Sequence, residues 1–183
     1  MHVRTCLVTV VLLWAAFGCE TTPAGSEPVT PVREESAFGP TSMRLHPVFT
    51  RVKDWTGDGQ ADGVEAMVEF QDAFGDPAKA AGRIIFELYD YRAGQPDPRG
   101  PRVANPWVGA LLTLQDQRDR WNRASRTYTF PLMVDGVEPV RSYVLTAQFD
   151  GNDGRRFFDR MIIEGRRVQA AADAPPATRP ARE

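Results

Sequence analysis

The sequence predicts an all-β fold, a single antiparallel β-sandwich of about seven strands, for which an Ig-like topology is the commonest solution. Three observations carry that prediction. Apolar residues recur at period two in several short segments, clusters of Gly, Pro, Asp and Asn separate those segments, and the helical period is nearly absent. With 183 residues, 42% hydrophobic and 10% aromatic, the chain suffices for one compact core and for one domain of ordinary size.

The elements follow in order. Leu45 to Val52 reads as the first strand. Val64, Ala66, Val68 and Phe70 alternate with Glu65, Met67, Glu69 and Gln71, one face for a core and one for water. Ile84, Phe86 and Leu88 repeat the pattern, Val108 to Leu114 supplies a middle strand, and Tyr128, Phe130 and Leu132 alternate with threonines. Tyr143, Leu145, Ala147 and Phe149 form the next strand, and a Gly151-Asn152-Asp153-Gly154 turn leads into a last one over Phe157 to Ile163. Only Gln115 to Ser125 reads as a short turn of helix.

Between the second and third of these strands, Val68, Asp72, Gly75, Pro77 and, after the next lysine, Ala80 resemble the hairpin of transthyretin-like, carboxypeptidase-regulatory-like sandwiches. Asp72 and Gly75 suit the turn and Pro77 stiffens the chain as it re-enters a sheet edge. The resemblance implies a sandwich and no active site.

The first residues carry a different signal. A basic start, Met1 to Arg4, precedes the uncharged apolar run Cys6 to Phe17. As a helix that run would reach roughly 18 Å, short of a hydrocarbon core about 30 Å thick, so it reads as the h-region of a signal peptide over residues 1–18. Ala16-Phe17-Gly18-Cys19 resembles the lipobox of bacterial lipoproteins. That resemblance implies a diacylglyceryl group on the Cys19 thiol, cleavage just before it, and a protein held in the cell envelope, facing the periplasm or the exterior. Ala16 and Gly18 also satisfy the small-x-small pattern of an ordinary signal peptidase, which would release a soluble chain with a free Cys19. The Pro/Thr/Ser/Gly/Glu-rich residues after Cys19 read as a flexible linker over 19–42, residues 43–166 as the sandwich, and 167–183 as a disordered tail.

The net charge of -2, with both signs interspersed, gives no nucleic-acid footprint. One segment has metal-ligand spacing. From Asp54 to Glu65 the chain resembles an EF-hand loop, with Asp54, Thr56, Asp58, Gln60, Asp62 and Glu65 at ligand positions and Gly59 at the sharp turn. The resemblance implies a weak structural calcium site. The flanking strand patterns support the alternative of a hairpin loop whose glycines serve turns and whose acids stay solvated. No other cofactor is expected.

An enzyme is not expected. His46, before Pro47, is the one histidine outside the signal peptide, no cysteine lies in the domain, and no nucleophile-elbow or phosphate-cradling glycines occur. The long Pro/Gly-rich loop from Asp90 to Pro106 and the exposed-aromatic candidates Trp55, Tyr91 and Trp107, with Arg99, mark a ligand-binding surface. The alternative for Trp107 and Trp121 is that they plug the sandwich. The expected role is a non-catalytic interaction or assembly module. Its partner is another envelope protein, or alternatively a carbohydrate or cell-wall glycan, and the membrane is met through the anchor on Cys19.

Overall fold

The structure is a computed structural model and describes residues 37–165. The signal peptide, Cys19 and the residues 167–183 lie outside the described residues. Among the described residues ten strands form two antiparallel sheets, joined at one point by a short helix. Sheet I contains β1 (Ser42–Leu45), β2 (Arg51–Lys53), β3 (Gly63–Gln71), β7 (Trp121–Asn122) and β8 (Thr127–Met133). Sheet II contains β4 (Gly82–Tyr91), β5 (Arg99–Arg102), β6 (Trp107–Ala110), β9 (Tyr143–Gly151) and β10 (Arg156–Ile163).

The alternating apolar residues do what period two requires. Val64, Ala66, Val68 and Phe70 of β3 meet Ile84, Phe86 and Leu88 of β4, and all are fully buried. Tyr128 and Phe130 of β8 and Leu145 and Phe149 of β9 complete the layer. Phe70 and Phe149 meet edge to face at 4.7 Å, and Phe86 lies 5.0 Å from Phe130, contacts that add to the burial itself.

The expected strand over Leu45 to Val52 is two strands. β1 and β2 both pair with β3 along one edge, and the chain bulges outward between them at His46 to Thr50. Pro47 cannot donate to a ladder, and the Thr50 hydroxyl replaces the missing strand by donating to the Met67 carbonyl and accepting the Met67 N–H. β5 and β6 interrupt the opposite edge of sheet II in the same way, both pairing with β4. Counted as edges, β1/β2 and β5/β6 are one strand each. The order is then β1/2-β3-β8, with two-residue β7 beyond β8, against β10-β9-β4-β5/6, an Ig-like arrangement. The Tyr143 hydroxyl accepts the Glu138 N–H at 2.9 Å as β9 begins, the tyrosine corner of such sandwiches.

Three further local expectations are corrected. The turn after β3 forms as expected: Asp72 accepts the N–H groups of Phe74 and Asp76, Gly75 has φ +84°, and Pro77 bridges to Gln71. It does not join a hairpin, however, because β4 lies in the other sheet. The strand expected over Val108 to Leu114 ends at Ala110, where Leu111 turns into the core and Thr113 caps helix α1 (Leu114–Arg120). Thr113 accepts the Asp116 N–H and the Asp116 carboxylate accepts that of Thr113, a capping box. The helix stops at Arg120, five residues before Ser125, because Trp121 is extended and pairs with Tyr128.

The strands define two ends. The β3–β4 end carries the Asp72–Pro77 turn, α1 and the Gly151–Arg155 turn. The β2–β3 end carries the Asp54–Asp62 loop, the Arg92–Pro98 loop and the β8–β9 connection.

Candidate functional site

The Asp54–Asp62 loop joins β2 to β3, whose Lys53 and Gly63 are cross-strand partners, so it is a hairpin loop. Gly57 and Gly59 have φ of +77° and +87°, the left-handed backbone that glycine adopts most easily. Asp54 accepts the N–H groups of Gly57 at 2.6 Å and Gly59 at 2.9 Å, and Asp62 accepts those of Trp55 at 2.6 Å and Thr56 at 3.0 Å. Asp58 accepts from Gln60. The Gly59 and then the Gly57 N–H hold the Asp54 carboxyl below its ordinary value. Glu65 sits on β3 and turns to Lys53 at 2.7 Å and Arg51 at 3.9 Å.

The carboxylates thus close the loop on its own backbone. Among the described residues no three His, Cys, Asp or Glu side chains are gathered to hold a metal ion. The geometry is that of a self-capped hairpin loop. Beside it a cleft of about 420 Å³ is walled by Arg51 and Lys53 of β2, by Asp54 and Gln60 of the loop, and by Ile163 and Glu164 where β10 ends. The spacing of Asp54 to Glu65 gives no hint of these last two, since only tertiary folding brings them near.

Of the four residues expected to bind a ligand, the structure brings two together. Tyr91 and Arg99 are cross-strand partners on β4 and β5. Trp55 is half-buried in the hairpin loop, with Lys53 Nζ 6.0 Å from its ring centre. Trp107 packs against the core, and its Nε1–H donates to the Met133 carbonyl at 3.1 Å, closing the flank between β6 and β8. Trp121 likewise packs on Tyr128 at 4.9 Å. These two rings plug the sandwich.

Around Tyr91 and Arg99 the outer face of sheet II carries a polar network. Arg99 and Arg102 place their guanidinium groups 5.7 and 5.8 Å from the Tyr89 ring centre, within cation–π range. Tyr89 donates to Glu87, Arg102 pairs with Glu87 at 2.8 Å, and Arg99 with Asp97 at 2.7 Å. Asp97 also meets Arg160 of β10 at 3.5 Å. The Arg99 guanidinium holds the Asp97 carboxyl down to about 2.

Next to this network the register places Phe158, Gln148, Ile85 and Val108 in one row across β10, β9, β4 and β6. Phe158 and Val108 are each 67% exposed. The outward position of Phe158 is readable from the alternation of β10, but its row mates need the register.

Among the described residues no helix is long and apolar enough to cross a membrane. A comparison with known protein families finds no family model that matches this chain, and a comparison with curated proteins finds none similar to it.

Proposed function

We propose that this chain is an extracytoplasmic lipoprotein, anchored through Cys19, whose sandwich is a non-catalytic interaction module and meets another envelope protein on the outer face of sheet II. The observation that supports it most is the row Phe158–Gln148–Ile85–Val108. Its exposed apolar side chains lie beside an arginine–carboxylate network, the composition of an interface core and its polar rim. Arg99 and Arg102 already rest on Tyr89, so little side-chain freedom remains to be lost on binding.

The test is cross-linking and affinity purification from membranes with Phe158→Asp and Val108→Asp. Both variants keep the melting temperature of the parent and lose a co-purified partner; retention of the same partner by both would overturn the assignment of this face. Membrane fractionation of Cys19→Ala beside the parent reads the anchor: release of the variant alone supports it, and equal behaviour removes it.

A second reading, binding of a cell-wall glycan, is supported by Tyr91, which is 37% exposed next to Arg99 and Asp97. Aromatic rings beside charged hydrogen-bonding groups suit a sugar. Retention on peptidoglycan that is lost with Tyr91→Ala would favour it over the protein partner.

A further inference from the structure

We propose that the β3–β4 end of the sandwich docks on the lipid surface that holds the Cys19 anchor, through the aromatic pair Phe38 and Phe74. This rests on the anchored reading of Cys19.

Phe74 tips the turn after β3, and Phe38 follows the first described residue, Ala37. The Ala37 carbonyl accepts the Ala73 N–H at 3.3 Å, which sets the two rings 5.9 Å apart. Both rings point into water, 63% and 69% exposed. Large rings left this open at a turn tip carry a free-energy penalty that an apolar surface would relieve. Leu114, at the start of α1 on the same end, is 75% exposed.

The occupant is set by the chain path. The segment that carries Cys19 enters the sandwich at Ala37, beside the pair, and its contour between those residues cannot exceed about 65 Å. A tether of that reach keeps this end near the bilayer at an effective concentration on the order of mM, so a contact too weak to recruit a free domain is sufficient.

Charge plays a small part. Both signs are interspersed on this end, Asp116 and Asp119 with Arg118 and Arg120 in α1 and Asp153 with Arg155 in the Gly151–Arg155 turn, and no strong excess of either sign results. The docking is therefore expected on zwitterionic phosphatidylcholine and to change little with anionic lipid.

The experiment uses the full lipidated chain in phosphatidylcholine vesicles. With the Cys19 thiol alkylated, Asp76→Cys offers a single thiol beside the pair for an environment-sensitive dye, and Asp135→Cys offers one at the opposite end. The dye at 76 is expected to shift to the blue and to be quenched by lipids brominated in their acyl chains, while the dye at 135 does neither. Phe38→Ser with Phe74→Ser abolishes the response at 76 and leaves the melting temperature near that of the parent. Equal responses at 76 and 135, or a response at 76 that survives loss of both rings, would overturn the docking; so would silence at 76, as when a protein partner covers the pair. Flotation of the unlabelled chain reads the anchor separately. If the chain does not float, the anchor reading fails, and the same dye comparison on the Cys19→Ser chain at high lipid decides the docking by the same criteria.

Discussion

The Asp159 carboxylate accepts the backbone N–H of Leu45 at 2.6 Å, joining the edge strand of sheet II to the edge strand of sheet I. Asp159 lies between Phe157 and Met161, both of which pack against the core, so a charged residue occupies an inward position of an edge strand. Such a residue discourages pairing with a foreign strand, and here it also satisfies an N–H that β3 does not reach. On the other flank Trp107 makes the matching connection to Met133.

Asp159→Ala is expected to lower stability by about 1–3 kcal/mol, because the Leu45 N–H loses its acceptor. Asp159→Asn keeps a carbonyl acceptor and loses less. Urea unfolding gives the first quantity. Light scattering is expected to show stronger self-association for the alanine variant, whose β10 edge has lost its inward charge; identical midpoints for the parent and the alanine variant would remove the bond's structural role.

The Tyr128 hydroxyl ties the β3–β4 end together. It accepts the Ala80 N–H at 3.3 Å and donates to the Gln117 side-chain carbonyl, while Gln117 Nε2 donates to the carbonyls of Ala80 at 2.8 Å and Leu111 at 3.1 Å. Burial pushes the Tyr128 phenol above its ordinary value, so it stays a neutral donor. Tyr128→Phe and Gln117→Ala are each expected to cost about 1–2 kcal/mol. The double variant should cost less than the two together, because both remove the Tyr128–Gln117 bond. Denaturation of the three variants in parallel measures the coupling, and strict additivity would contradict a shared network.

The long strands are legible because their apolar alternation is strong: β3, β4, β8 and β9 all bury the residues their pattern selects, and β10 half-buries Phe157 and Met161. Pro131 fits within β8 because the strand's far side is open beyond two-residue β7, where no ladder bond is missed. The break between β1 and β2 was hidden because its repair depends on one hydroxyl, that of Thr50, meeting Met67 across the sheet. β5 and β7 carry no apolar alternation and exist only through pairing with β4 and β8. At the candidate surface, Tyr91 and Arg99 were visible as residue types, but their partners Glu87, Tyr89 and Arg160 come from register and loop folding. The aspartates of the Asp54–Asp62 loop were read for their spacing, and spacing alone does not distinguish carboxylates that face an ion from carboxylates that face backbone N–H groups.

That loop yields its own prediction. Because Asp54 and Asp62 satisfy the backbone N–H groups of Trp55, Thr56, Gly57 and Gly59, it is expected to keep its shape without an ion. A chelator is expected to leave the melting temperature in place, whereas Asp54→Ala lowers it. A fall with chelator, restored by excess Ca²⁺, would instead show a resident ion on which the loop depends.

Acid should weaken the fold through several surface carboxylates. Asp97 is held to about 2 by the Arg99 guanidinium. Asp116 is lowered by the N–H and hydroxyl of Thr113, and Asp153 by the Arg155 guanidinium. At Glu69 burial acts upward, but the Gln71 amide and the Arg44 guanidinium outweigh it and leave the carboxyl lowered. All four are stronger acids in the folded chain than in the unfolded one, so below about pH 4 the unfolded chain takes up protons first. Their stabilisation is present above the unfolded values and is lost as pH falls through the folded ones, ending near 2 for Asp97. The melting temperature is expected to be flat from about pH 7 to 5 and to decline below about pH 4. Because these groups are mostly exposed, the decline should be shallow and smaller still in high salt. Asp97→Asn removes part of the slope at the acid end; a variant with the parent's full slope would show that the Arg99 pair contributes nothing to folding.

Gly63 is where the hairpin loop delivers the chain into β3, at φ +150° and beside Leu132 and Met133 of β8. A Cβ there would overlap the Leu132 carbonyl oxygen and sit 3.1 Å from the Met133 Cα, both of them backbone atoms that no rotamer change moves aside. Gly63→Ala is therefore expected to separate β3 from β8 and to destabilise the sandwich by about 2 kcal/mol or more. Gly57→Ala meets nothing within 4 Å and incurs only the strain of its positive φ, about 1 kcal/mol. Comparing the two by thermal unfolding separates close backbone approach from conformational strain: equal losses would mean that the β3–β8 contact at Gly63 is not tight in solution.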